Sequence, residues 1–161
     1  MQALFCKEIA SNQYQIIKLF AIQTPILPDE PIVTDFYILH KDGLLELKAG
    51  YSWNGGDWPA IDTRNMIYGS VVHDPFCQML NKGELNWKWR VAVNQFFVKV
   101  LKDIGSVLIK RGPSYLVKIR LAILNQRCKW VYNGVDKLGP NPRKKYKPKK
   151  IIMIPGDKQN I

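Results

Sequence analysis

Apolar and polar positions change period twice along this chain. Up to residue 48 the apolar residues come in short runs: Tyr14 to Phe20, Ile32 to His40 and Leu44 to Lys48. The last two flank Lys41-Asp42-Gly43, a turn signal, so a β-hairpin is predicted over 32–48. Between the early run and the hairpin, Thr24 to Pro31 holds three prolines in eight residues. Proline withholds the N–H that a ladder needs, so this stretch is predicted to be a surface connection. Residues 49–62 place Trp53 and Trp58 beside Gly55-Gly56 and Pro59, which predicts a structured loop, because the indoles need somewhere to bury.

From Thr63 the period becomes helical. Met66, Ser70, His73, Cys77 and Leu80 fall on one stripe, and Asn81-Lys82-Gly83 ends that helix. A second helix over about Trp87 to Ile104 carries Val93, Phe96, Phe97, Val100 and Ile104 at core spacing. A third, over about Pro113 to Val135, turns Val117, Leu121, Leu124, Cys128 and Val131 inward, with Lys118, Arg120, Arg127 and Lys129 flanking them. Strands followed by helices, without βαβ alternation, make the fold class α+β: N-terminal antiparallel strands, a three-helix unit, then an extended tail. The domain is drawn over 1–136 and the basic, Pro-containing extension over 137–161.

Composition refines this picture. With 161 residues, 47% of them apolar, the chain is long enough for one sizeable core. The net charge of +11 is uneven: residues 1–136 hold 16 basic and 12 acidic groups, and residues 137–161 hold 8 and 1. Arg143, Lys144, Lys145, Tyr146, Lys147, Lys149 and Lys150 form the binding candidate, an arm suited to non-specific contact with nucleic acid or another acidic surface. The bland counterpart is a solubilising tail. Cys6, Cys77 and Cys128 are an odd number without CxxC spacing, so they are expected to be reduced. The first eight residues do not read as a secretory leader, and no apolar run reaches the length of about 18 residues that a membrane span needs.

The chemistry-bearing feature is His73-Asp74 in mid-helix, followed by Pro75, which is expected to kink the helix at the pair. Histidine suits general-base work because its ordinary pKa lies near about 6.5, and a carboxylate beside it can hold a cation. The structural alternative is a histidine and an aspartate bonded to the backbone of 50–58. His40, beside a turn, is expected to be exposed and idle.

The order Asn54-Gly55-Gly56-Asp57-Trp58-Pro59, Val71-Val72-His73-Asp74 and Val93-Asn94-Gln95-Phe96-Phe97 resembles an uncharacterised family of small phage and prophage proteins. That family has an Asp-Gly-Ala-Ser-x-Pro loop, a helical Ala-x-x-x-His-Asp core and an Ala-Asp-x-x-Phe-like element on the next helix. Gly55, Pro59, His73 and Asp74 match. Asn54, Gly56, Asp57, Gly69 and Asn94 stand where the family has Asp, Ala, Ser, Ala and Asp. The layout also looks like that of secretory phospholipase A2.

The resemblance implies a phage setting: synthesis in the host cytoplasm, incorporation into the virion, and other phage structural proteins or further copies as partners, docked through the basic arm. Its hydrolase side implies His73 as base, Asp74 as calcium ligand with Asp57 and the carbonyls of Trp53, Asn54, Gly55 and Gly56, and Asn94 behind the histidine. Calcium belongs to that alternative alone; the structural reading needs no cofactor.

Overall fold

The structure, a computed structural model, describes residues 2–55, 64–109 and 114–139. Within them lie β1 (Cys6–Ala10), β2 (Gln13–Ile16), β3 (Phe20–Gln23), β4 (Ile32–Val33), β5 (Tyr37–Leu39), β6 (Leu44–Leu47), β7 (Ser52–Asn54), α1 (Arg64–Lys82), a 3-10 turn (Trp87–Trp89), α2 (Arg90–Ile109) and α3 (Ser114–Leu138). The strands form two antiparallel sheets, ordered β1-β2-β7 and β3-β6-β5-β4, and the helices follow. The mixed α+β class stands.

Tyr14 to Phe20 is not one strand. A straight strand would put Tyr14, Ile16, Lys18 and Phe20 on one face and bury an ammonium beside three core side chains. The chain instead bends after Ile16, leaving Ile17, Lys18 and Leu19 exposed, and Phe20 enters the second sheet opposite Leu47. Ahead of the bend, β1 pairs with β2 through a turn at Ser11-Asn12, where Asn12 adopts φ 57°. That strand's signal is weak because four of its five residues are exposed.

The hairpin over 32–48 forms, with its first arm broken in two. Thr34 Oγ1 accepts from Tyr37 N–H at 2.9 Å and donates to Tyr37 O at 3.0 Å, so residues 34–36 loop out between β4 and β5. At the hairpin tip, Gly43 has φ +85°, and a Cβ there would lie 2.5 Å from the carbonyl oxygen of Thr24. Both the left-handed backbone and a rigid neighbour oppose any side chain. Gly43→Ala should therefore cost about 2–3 kcal/mol, read as a lower urea midpoint with an unchanged m-value.

The same Thr24 corrects the reading of 24–31 as a plain surface connection. Its Oγ1 donates to Gly43 O at 2.8 Å and accepts from Ile26 N–H at 3.2 Å, and Thr24, Ile26 and Pro28 turn inward in alternation. His40, expected to be exposed and idle, is half-buried, with Nε2 3.4 Å from Glu46 Oε2.

Helix α1 lies between two cores. One joins Phe20, Leu45 and Leu47 of the second sheet and Trp53 of β7 to Val71, Val72, Phe76 and Met79 of α1. The other joins Met66 of α1 to Phe97 and Leu101 of α2 and Leu124, Cys128 and Val131 of α3. Small residues set the spacing of the helices: a Cβ on Gly69 would meet Leu101 Cδ2 at 2.6 Å and Phe97 Cε2 at 2.8 Å, and one on Gly105 would meet Leu124 at 2.7 Å. The helix continues through Pro75. It closes as expected at Lys82, where Gly83 takes φ 75° and the N–H of Glu84 donates to Met79 O at 2.9 Å.

Candidate functional site

His73 and Asp74 point to different surroundings, as neighbours about 100° apart on a helix must. His73 turns toward α2 and is 7% exposed. Its ring stacks on Phe97, with centroids 4.5 Å apart and planes 24° from parallel, and its Nε2 lies 3.1 Å from Asn94 Oδ1. With that oxygen as acceptor, the neutral ring carries its proton on Nε2. Burial pushes the His73 pKa down to about 4, with the Asn94 acceptor pulling weakly the other way, so the ring is neutral at pH 7.

Cys77, one turn on, is the site residue that sequence reasoning reads only as core. Its sulfur is 3.5 Å from Nδ1 and 3.6 Å from Nε2 of His73. Near-equal distances to both nitrogens put the sulfur over the ring face, since an in-plane position would collide with Cε1. The contact packs the thiol against the imidazole; it is not the in-plane bond that a Cys-His nucleophile needs. The i, i+4 spacing is its available signal.

The Asn94 amide is 2% exposed, and its Nδ2 has no hydrogen-bond partner among the described residues. A buried unpaired donor costs about 1–3 kcal/mol, a burden that the aspartate of the related pattern would not carry at this atom.

Asp74 faces the strands. Its carboxylate lies close enough to Tyr51 to add to the burial that raises that hydroxyl's pKa, while Gln78 Nε2 donates to Tyr51 Oη at 3.0 Å. Beside Tyr51 runs a shallow surface groove lined by Phe36, Tyr37, Gln78 and Lys82.

Comparison with family models, curated proteins and solved structures finds no match. What the site can do therefore rests on its own geometry.

Of the expected loop ligands, Trp53 and Asn54 belong to β7, whose backbone pairs with β2 opposite Tyr14 and Gln13, and Gly55 N–H donates to Asn12 O at 2.9 Å. Gly56 and Asp57 lie outside the described residues, as does the basic arm from Arg143 to Lys150. Among the described residues, no three His, Cys, Asp or Glu side chains converge on a point that suits a metal ion. The side chain of Trp53 serves the packing instead. Its Nε1–H donates to Ser70 Oγ at 3.0 Å, and its ring stacks on Tyr51 at 6.4 Å. The indole thus fastens β7 to α1 one turn before His73. The backbone partners expected for His73 give way to side chains of α1 and α2.

Proposed function

We propose that this chain works by binding rather than turnover, as a structural or interaction component of a bacteriophage particle that docks through its basic C-terminal arm. The observation that carries the binding half is the enclosure of His73 by Asn94, Cys77 and Phe97. A general base must reach the proton it removes, within hydrogen-bond distance or through one water, and a ring 7% exposed offers little approach. The phage setting rests on the resemblance of the loop and the His-Asp helix, and the docking role on the charge of residues 137–161.

A second reading is a calcium-dependent ester hydrolase of the host envelope, with His73 as base and Asp74 as metal ligand. One contact favours it: Asn94 Oδ1 sits 3.1 Å from His73 Nε2, the place that the resemblance gives to the residue behind the base. Ester-lipid hydrolysis with and without calcium, on native protein and on folded His73→Gln, separates the two. The binding reading expects no activity above buffer across several lipid classes in either protein; calcium-dependent turnover lost in His73→Gln would replace it with the hydrolase.

A further inference from the structure

Helix α3 has two apolar faces. Leu124, Cys128 and Val131 pack against the other helices, whereas Tyr115, Ile119, Ile123 and Trp130 are 63%, 54%, 63% and 47% exposed. At about 100° per residue these four fall within a quarter-turn of one another, on the side of the helix away from the core stripe. Lys118 and Lys129 run along one edge of this outer stripe and Arg120 and Arg127 along the other, all at exposed or half-exposed positions. The acidic residue on α3, Asp136, is paired with Arg90 at 3.1 Å. Monomeric proteins seldom leave four large apolar side chains aligned on one helix face without a partner for them.

The charge of the whole chain is concentrated in the same part of the sequence. Residues 110–161 hold 14 basic and 2 acidic groups, while residues 1–109 hold 10 and 11. The excess of positive charge thus belongs entirely to α3 and the segments on either side of it.

We propose that the outer face of α3 is a docking surface for an anionic phospholipid bilayer, on which the helix lies in the interfacial plane. An apolar stripe bordered by cations, with aromatic rings toward both of its ends, is what an interfacial helix presents. Aliphatic side chains enter the headgroup–acyl boundary, indole and phenol rings settle at headgroup depth, and Lys and Arg meet lipid phosphates. Each cation held near an anionic membrane contributes about 1 kcal/mol, so the four flanking residues supply a long-range attraction that the short stripe lacks, to which the basic residues that follow α3 in sequence add. A second copy is a poorer occupant: pairing two such stripes brings like-charged borders together across a water-poor contact. The chain's own apolar segment Ile151-Ile152-Met153-Ile154 is poorer for the same reason, since it follows the cations at 143–150.

This surface is separate from His73, and the proposal stands whether or not the protein turns over a substrate. The test uses the full chain and sedimentation with vesicles of phosphatidylcholine alone or with about 30 mol% phosphatidylglycerol, at about 0.1 M and 0.5 M salt. Expected is binding to the anionic vesicles only, weakened steeply by salt and reduced about tenfold or more by Ile119→Glu/Ile123→Glu. That variant replaces exposed residues, and circular dichroism checks that its helices persist. Quenching of fluorescence by bromine-labelled acyl chains should fall in Trp130→Phe.

Three outcomes overturn the proposal. Vesicle binding unchanged in Ile119→Glu/Ile123→Glu would assign it to the basic tail alone. A concentration-dependent dimer abolished by the same substitutions, without vesicle binding, would make the stripe a self-association surface. Vesicle binding acquired only after removal of residues 140–161 would mean that the tail itself covers the stripe.

Discussion

Acidification from about pH 6.5 to about pH 4 is expected to cost the fold on the order of 3 kcal/mol through His73 alone. In the unfolded chain the imidazole takes up its proton near the ordinary histidine value, whereas in the native protein burial holds it neutral down to about pH 4. Throughout that window the unfolded state binds more protons, and each proton bound draws the equilibrium toward it. Above the window the stabilisation is fully present. Below it the native ring also titrates, and no further loss accrues through this group.

Urea unfolding at a series of pH values measures the slope, and comparison with His73→Gln isolates the histidine from carboxylates that titrate near the lower limit. An equal acid slope in His73→Gln would refute the assignment. Asn94→Asp should reverse the sign. A carboxylate beside Nε2 favours the imidazolium and raises the native pKa above the unfolded one, so the contribution is present at low pH and lost as pH rises through the raised value. The titration of the His73 ring protons by NMR reads that pKa directly in both proteins.

Removal of Trp53 is the second large effect. The side chain is 3% exposed, bonded to Ser70, stacked on Tyr51 with centroids 6.4 Å apart, and packed against Tyr14 with the rings tilted and centroids 5.6 Å apart. Trp53→Ala should cost about 3–5 kcal/mol, the range for a deleted core aromatic. Trp53→Phe keeps most of the area and loses the indole hydrogen bond; Ser70 still donates to Ile67 O at 3.0 Å, so about 1 kcal/mol is expected. Urea midpoints of the two variants separate packing from hydrogen bonding. A Phe variant as unstable as the Ala variant would place the value of Trp53 in its N–H instead.

Helical periodicity makes α1 to α3 legible because a 3.6-residue stripe survives even when a helix is buried on several sides. Met66, Ser70, His73 and Leu80 are buried as their spacing implies, and Cys77 is half-buried. The strands are less legible. β1 shows water most of its surface and so lacks alternation, and β7 is three residues long inside a Trp- and Gly-rich segment that reads as loop. The break at Ile17 to Leu19 is encoded in Lys18, whose charge forbids a straight strand, yet a run of apolar neighbours hides it.

At the site, sequence marks His73 and Asp74, and the resemblance marks Asn94. Their division between two sides of α1 follows from helix geometry. The depth of His73 does not, because it depends on how closely α2 approaches, and that is set by Gly69 against Phe97 and Leu101. Trp53 enters the sequence reading as an indole that needs burial and, through the resemblance, as a carbonyl donor; its side chain is buried as the first reading expects, bonded to α1. The outer stripe of α3 is hidden by a general presumption: apolar residues at helical spacing read as interior, and Ile119, Ile123 and Trp130 are not there.

Twelve of the nineteen residues of α1 are buried, because sheets and helices enclose it together. Such a helix leaves evolution little latitude. Substitutions that surface helices absorb without effect would here disturb two cores at once, so divergence between this chain and its descendants should accumulate in the strands' outer faces and the tail. The small, large and polar order running from Asn65 to Leu80 would be the last recognisable trace of common descent.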